Sequence, residues 1–444
     1  MAASDIDTLI KVDRSNPAMD MMRQYWIPAG KSSELEAGGA PVRVLLMGEH
    51  LLAFREPNGK VGIIDHVCPH RGASLFYGRN EDGGMRCAYH GWKVSGEGNV
   101  VEIPNLAAGR ACPKIRTAAY RVEEGNGIFW VYMGDREVPP PLPIFAYHDI
   151  DAVFMIRECN WLQALEGDID TSHVGFLHMG GMKLDDLPDG HPSRIRLIER
   201  APEFEVKNMP WGLMSGAYRD CGDEGKFWGL CQYLYPFWTI TANDLPLCPP
   251  WFARAWVPMD ETHTMVITIV DSRLPFGTGI FNRDGEMIPG TSFDWGTPIP
   301  NGTGWYDRWR IEENQHNDYM MDRKLQHISN LVGVECIVPQ DQAITESQGP
   351  VQDRSKEHLI ASDEMIVRTR RLLLSTSKDW AEKGIVPPGV DNPETFYGAR
   401  GGRMPAGKKD DFLETFAAES ERTATFKSAY DQSTPVGEPV TQDV

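Results

Sequence analysis

The chain has 444 residues, 41% hydrophobic and 24% charged, which is enough to bury the cores of two or three globular domains. Its net charge of −19 speaks against nucleic acid as a partner, because phosphate binding needs a basic face. No apolar run reaches the roughly eighteen residues of a membrane helix, and Asp5, Asp7, Asp13 and Asp20 are unlike a secretory signal, so a cytoplasmic, membrane-free protein is expected. Six of the eight cysteines stand apart without paired spacing and read as reduced thiols.

Residues 1–37 read as an N-terminal helical segment packing on the larger domain. It contains a helix over Asn16–Tyr25, with Asn16 as N-cap and Pro17 at the first helical position. From 38 to 150, short alternating runs such as VRVLLMG, VGIIDH and YRVEEGNGIFWVYMG, punctuated by Gly, Pro and Asn-Gly, predict an all-β domain. Pro139, Pro140, Pro141 and Pro143 mark its exit. Residues 151–415 form a second domain with a strand before Trp161, a helix from there, and long strands in KFWGLCQYLYPFWTITA and FARAWVPMDETHTMVITIVDS. Helical character is expected again over 310–330 and 362–383, where Ile366, Leu372 and Leu373 make a partial stripe. The polar residues 416–444 read as an arm or a disordered tail. The fold class is α+β.

The first domain contains CPHRGASLFYGRNEDGGMRCAYH, with two ligand pairs, Cys68-x-His70 and Cys87-x-x-His90, sixteen residues apart. Gly72 and Gly91 supply a turn after each pair. Two thiolates and two imidazoles suit a [2Fe–2S] cluster with Cys₂ on one iron and His₂ on the other. A Cys₂His₂ zinc would use the same atoms, but one Cys and one His per loop favours the cluster. In the second domain, LEGDIDTSHVGFLH offers Glu166, Asp168, Asp170, His173 and His178. His173 and His178 are five apart, about 140° of rotation on a helix of 3.6 residues per turn. They reach one metal only if the helix is broken or widened, as by a π-bulge at Gly175. Two histidines and a carboxylate are the facial triad of non-haem Fe(II) oxygenases.

CPHRG…CAYHGW resembles the Rieske centre of the aromatic-ring-hydroxylating oxygenases. The respiratory-complex type carries an additional disulfide-forming cysteine in each loop, where this chain has Ala73 and Tyr89. The Asp-x-x-His-x-x-x-x-His spacing resembles the mononuclear iron motif of the same family. That resemblance assigns His173 and His178 as iron ligands and Asp170 as the carboxylate bridging iron site and cluster, ahead of Asp168 and Glu166. The run DQAITESQGP resembles the phthalate-type branch and implies Asp341 as third ligand, ahead of Glu346 and Glu335. Gln340 stands there where many relatives carry Glu.

The family resemblance further implies a curved antiparallel catalytic sheet flanked by helices, and head-to-tail trimers in which one subunit's cluster feeds its neighbour's iron. It also implies O₂ as co-substrate and NAD(P)H electrons through a separate flavin and iron–sulfur reductase, with or without a ferredoxin. The expected reaction is hydroxylation of an aromatic carboxylate, of phthalate, isophthalate or phenoxybenzoate type, to a cis-dihydrodiol. A monooxygenase or O-demethylase, a diaryl-ether-cleaving oxygenase and a plain Rieske electron carrier are the alternatives. Arg219 is the candidate partner for the substrate carboxylate, followed by Arg200 and Arg196. Arg71, Arg79, Arg86 and Lys93 are a candidate reductase-docking surface.

Overall fold

The computed structural model describes residues 3–423, apart from 108–109, 112, 147–150, 242–244, 248–251, 272–277 and 408. The chain opens with α1 (Ala3–Ile10) and α2 (Pro17–Met22). Asn16 caps α2, its side chain accepting from the Ala18 amide at 2.9 Å, with Pro17 at the first position. The helix stops at Met22 rather than Tyr25, because Trp26 already enters β1 (Trp26–Lys31).

The remaining strands of the N-terminal domain are β2 (Val42–Leu46), β3 (Glu49–Arg55), β4 (Val61–Asp65), β5 (Arg79–Glu81), β6 (Gly84–Arg86), β7 (Lys93–Val94), β8 (Val100–Glu102), β9 (Ala119–Gly125) and β10 (Ile128–Tyr132). They make an antiparallel six-stranded sheet, β1-β10-β9-β4-β3-β2, and a small sheet, β5-β6-β7-β8. Asn126 and Gly127, both at positive φ, form the two-residue turn between β9 and β10 that the Asn-Gly pair announces. The stretch read as a helical segment packing on the larger domain, 1–37, is therefore divided. Its helices lie against the second domain while β1 completes the first sheet.

The second domain begins with β11 (Asp151–Arg157), α3 (Trp161–Ile169), α4 (Val174–Leu177) and α5 (Arg194–Ile198). Strands β12 (Glu203–Met209), β13 (Gly212–Asp220), β14 (Lys226–Leu234), β15 (Trp238–Ile240), β16 (Phe252–Pro258) and β17 (Thr264–Val270) follow. Next come α6 (Ile337–Ser347), α7 (Glu364–Lys383), β18 (Gly402–Pro405) and α8 (Phe412–Arg422). The eight-stranded sheet runs β11-β17-β16-β15-β14-β13-β12, with β18 added beside β14, and all its pairings are antiparallel. The fold is α+β.

Two expectations are corrected. Residues 310–330 hold only 3₁₀ turns, Gln315–Met320 and Leu325–His327, with Asp318, Tyr319 and Met320 at positive φ. Asn314 and Asn317 bond to nearby backbone amides there, and such local side-chain bonds compete with helix. The segment read as a tail from 416 is helical as far as Arg422, because Phe412 and Phe416 are buried and the Phe412 ring lies 4.7 Å from Trp228. Residues 424–444 lie outside the described residues.

The domains meet where the loop after β17 folds back on the first sheet. Trp305 stands edge-on to His50 and His66, at 4.5 and 5.2 Å, and Arg43 donates to the Thr303 carbonyl at 2.6 Å.

Candidate metal centres

The two ligand loops of the N-terminal domain share one hydrogen-bond plan. Cys68 N donates to Ala73 O at 2.8 Å and Gly72 N to Cys68 O at 2.9 Å. In the other loop Cys87 N donates to Trp92 O at 2.8 Å and Gly91 N to Cys87 O at 3.0 Å. Gly72 and Gly91 close these turns at φ +72° and +73°, a region that glycine enters without penalty. Both cysteines are buried, and burial pushes the Cys68 thiol up to about 11. The His70 and His90 rings lie 4.5 Å apart, and Trp92 stacks on His70 at 4.4 Å. His70 Nδ1 is buried with no hydrogen-bond partner, an orphaned atom that a metal would satisfy. His90 is held below its ordinary value by burial and by the charges of His70 and Arg71.

In the second domain, α3 ends at Ile169 and Asp170 is its C-cap. The side-chain Oδ1 of Asp170 accepts from Ser172 N and Ser172 Oγ, both at 2.7 Å, which turns the chain out of the helix. His173 and His178 then flank the single turn of α4. The break expected between them, at Gly175, lies instead before His173. Two imidazoles at opposite ends of so short a turn converge without a π-bulge, their Nε2 atoms 3.2 Å apart. Asp341, on α6, brings Oδ1 to 3.1 Å from His178 Nε2 and 3.4 Å from His173 Nε2. Among the described residues this trio groups one ligand atom each within 4.8 Å, as a metal site requires.

The site's electrostatics follow from that proximity. Burial pulls His173 down, but the Asp341 hydrogen bond and the charges of Asp341 and Asp170 outweigh it, raising the ring to about 9. Burial pushes Asp341 up, yet the two histidines hold its carboxyl well below the usual range. His178 Nδ1 is 2.8 Å from Gln340 Oε1. Helix α6 is anchored by Gln163 Nε2 donating to Thr345 O at 3.0 Å and by Glu158 N donating to Glu346 Oε1 at 2.8 Å. Gly167 permits the close approach, since a Cβ there would meet Thr345 at 2.8 Å.

The rival carboxylates have other partners. Asp168 is engaged by Arg254 and Thr239. Glu166 accepts from Arg370 Nε at 2.6 Å and Nη2 at 2.8 Å, and from Arg354 at 2.6 Å. Glu346 takes Tyr319 OH and Gln342 Nε2, and Glu335 is not in the ligand group. Asp170 Oδ2 lies 3.9 Å from His173 Nδ1, beyond direct hydrogen bonding. Of the basic residues near the cluster, Arg86 and Lys93 are paired with Glu81 and Glu102, and Arg79 with Glu81. Arg71 instead lies over the exposed Tyr89 ring at 5.6 Å.

Arg219 and Arg196 are buried, whereas Arg200 bonds to the Gly175 carbonyl. Arg219 Nε donates to Glu199 O at 3.2 Å, and burial lowers its guanidinium to about 10. Arg196 is lowered to about 9 by burial and by the nearby Arg219 and Arg403. On β13, Ser215 pairs with Cys231, whose Sγ faces Asp168 O at the end of α3. Side chains alternate along a strand, so Arg219 is on that same face, which Cys231 turns toward the end of α3.

Comparison with known proteins agrees with these two centres. Residues 25–120 match the Rieske [2Fe-2S] domain and 298–394 the LigXa C-terminal domain. The chain is 41% identical to the 3-chlorobenzoate-3,4-dioxygenase oxygenase subunit of Comamonas testosteroni, covering 90% of this chain and 94% of that one. It is 32% identical to the phthalate 4,5-dioxygenase oxygenase subunit of Pseudomonas putida, covering 82% and 84%. A dicamba monooxygenase crystal structure superposes with a TM-score of 0.51 at 16% identity, over 82% of this chain and 99% of that one, and so shares the fold. With a [2Fe–2S] Rieske domain, a non-haem iron centre and these relatives, the chain belongs to the Rieske aromatic-ring-hydroxylating oxygenases, as an oxygenase component.

Proposed function

We propose that the enzyme hydroxylates an aromatic carboxylate by cis-dihydroxylation, with Arg219 holding the carboxylate. Cys68, Cys87, His70 and His90 hold the cluster, and His173, His178 and Asp341 hold the iron. The supporting observation for the substrate is the buried Arg219 on the sheet face turned toward α3. Relatives named for 3-chlorobenzoate and phthalate point to the same class.

The bound cluster supplies single electrons, and the bound iron supplies the open positions at which oxygen is reduced. The chain's contribution is placement. Asp341 would provide the iron one anionic oxygen and the histidines two neutral nitrogens. Arg219, desolvated, offers a fork that pairs with a carboxylate in two parallel bonds and so sets which ring carbons face the metal. The chain acts as a homotrimer in which Asp170 stands between its own His173 and a cluster histidine of the neighbour. Its half-buried side chain, with Oδ1 occupied by Ser172 and Oδ2 turned toward His173, supports that placement.

Three measurements test this reading. Anaerobically purified protein should contain about three irons and two sulfides per chain with a Rieske EPR signal; two irons that Fe(II) does not restore to three would remove the second centre. Arg219→Met should raise KM for an aromatic acid far more than for its methyl ester, and equal changes would remove Arg219 from the pocket. Isotopically labelled oxygen then distinguishes two inserted atoms from one.

A further inference from the structure

Gln340 precedes the proposed iron ligand Asp341, is fully buried on α6, and makes three hydrogen bonds that leave its amide a single orientation. Its Nε2 donates to Gly290 O at 2.9 Å and to Val334 O at 2.8 Å. Both partners are carbonyl oxygens, which only accept, so the atom facing them must be the amide nitrogen. The remaining atom, Oε1, is thereby turned to His178 Nδ1 at 2.8 Å. Oε1 also only accepts, so Nδ1 must carry the imidazole proton. A neutral ring then has its lone pair on Nε2, the atom beside Asp341 Oδ1 and His173 Nε2.

The cage around the amide is itself closed. Asn330, also fully buried, donates to the same two carbonyls, Gly290 O at 2.9 Å and Val334 O at 3.0 Å. Its Oδ1 accepts from Gly333 N at 2.6 Å. Each carbonyl therefore receives two donors. Rotating the Gln340 amide by half a turn would aim its oxygen at two carbonyl oxygens, a repulsive contact that leaves the buried Oε1 without a donor, while Asn330 still serves both carbonyls.

We propose that Gln340 is a positioning residue that fixes the Nδ1–H tautomer and ring orientation of His178, so that Nε2 is delivered to the metal as a neutral donor. This rests on the reading of His173, His178 and Asp341 as the iron site. Partners of this kind change metal affinity by roughly 10- to 100-fold.

The test is Co(II) titration of protein freed of its mononuclear iron with the Rieske cluster intact, followed by visible absorption. Gln340→Met, which offers no acceptor to Nδ1–H, should bind Co(II) about 10- to 100-fold more weakly than the parent. Gln340→Glu restores an acceptor for Nδ1–H but offers the two carbonyls nothing, and should recover most of the loss. Parent-like affinity in Gln340→Met overturns the proposal. Equal weakening in both variants also overturns it, since the cage and not the acceptor would then control the site. If Gln340→Met does not fold, as judged by its cluster spectrum, Gln340→Asn serves instead, its amide one methylene short of His178. His178→Ala checks the underlying reading separately: it should abolish the Co(II) site, and if it binds like the parent the metal assignment fails whatever Gln340 does.

Discussion

Asp341 and Glu346 share a helix, one half-buried and one buried, but they have different work, and replacement separates them. Asp341→Asn should leave sulfide and the Rieske signal intact while iron falls from about three to two per chain and product formation is lost. Glu346→Gln should keep the third iron and lower the melting temperature, because Glu346 accepts from Glu158 N, Gln342 and Tyr319 rather than facing the histidines. Protonation separates the metal-free and loaded forms. His173, raised to about 9, carries a proton near neutrality in the metal-free chain, and a metal takes only the neutral ring. Fe(II) uptake should therefore release a proton, with affinity rising about tenfold per pH unit up to pH 9 and flattening above it. Calorimetry in buffers of different ionisation enthalpy measures that proton, and uptake without release between pH 7 and 8 would contradict it.

At the level of elements, short-range patterns were readable and long-range partners were not. The Asn16–Pro17 cap, the Asn126–Gly127 turn and the Cys-His loops each depend on neighbouring residues, so their letters carry their geometry. The metal histidines were legible as types and spacing, but the helix break before His173 depends on Asp170 bonding back to Ser172, which spacing does not reveal. Gln340 was visible only as a departure from Glu, since its partners are carbonyls at 290 and 334 and a ring at 178. The paired state of Arg86 and Lys93 likewise comes from strand register across β5 to β8. The same long-range logic ties α3 to α7. Glu166, Arg370, Arg354 and Glu357 form a largely buried charge network. Arg370→Met should destabilise the fold by about 3–5 kcal/mol, because it leaves Glu166 and Glu357 short of charge compensation in the interior. Denaturant unfolding reads this directly, and a loss below about 1 kcal/mol, typical of an exposed pair, would show the network to be no more than surface pairing.

For the whole molecule, the proposed trimer predicts complementation. Cys68→Ser chains lack the cluster and Asp341→Ala chains lack the iron, so each homotrimer should be inactive. Co-refolded or co-expressed mixtures should regain a fraction of the parent rate, because an intact cluster then faces an intact iron across a subunit boundary. Mixtures as inactive as the separate variants would confine transfer to one chain. The matched turns at Cys68–Ala73 and Cys87–Trp92 bear on how quickly such transfer can run. Each loop is closed by its own amides and by a glycine at positive φ, so the backbone that carries the four ligands is tied by main-chain bonds within each loop. A cluster held in these loops would demand little movement of its backbone when an electron arrives or leaves.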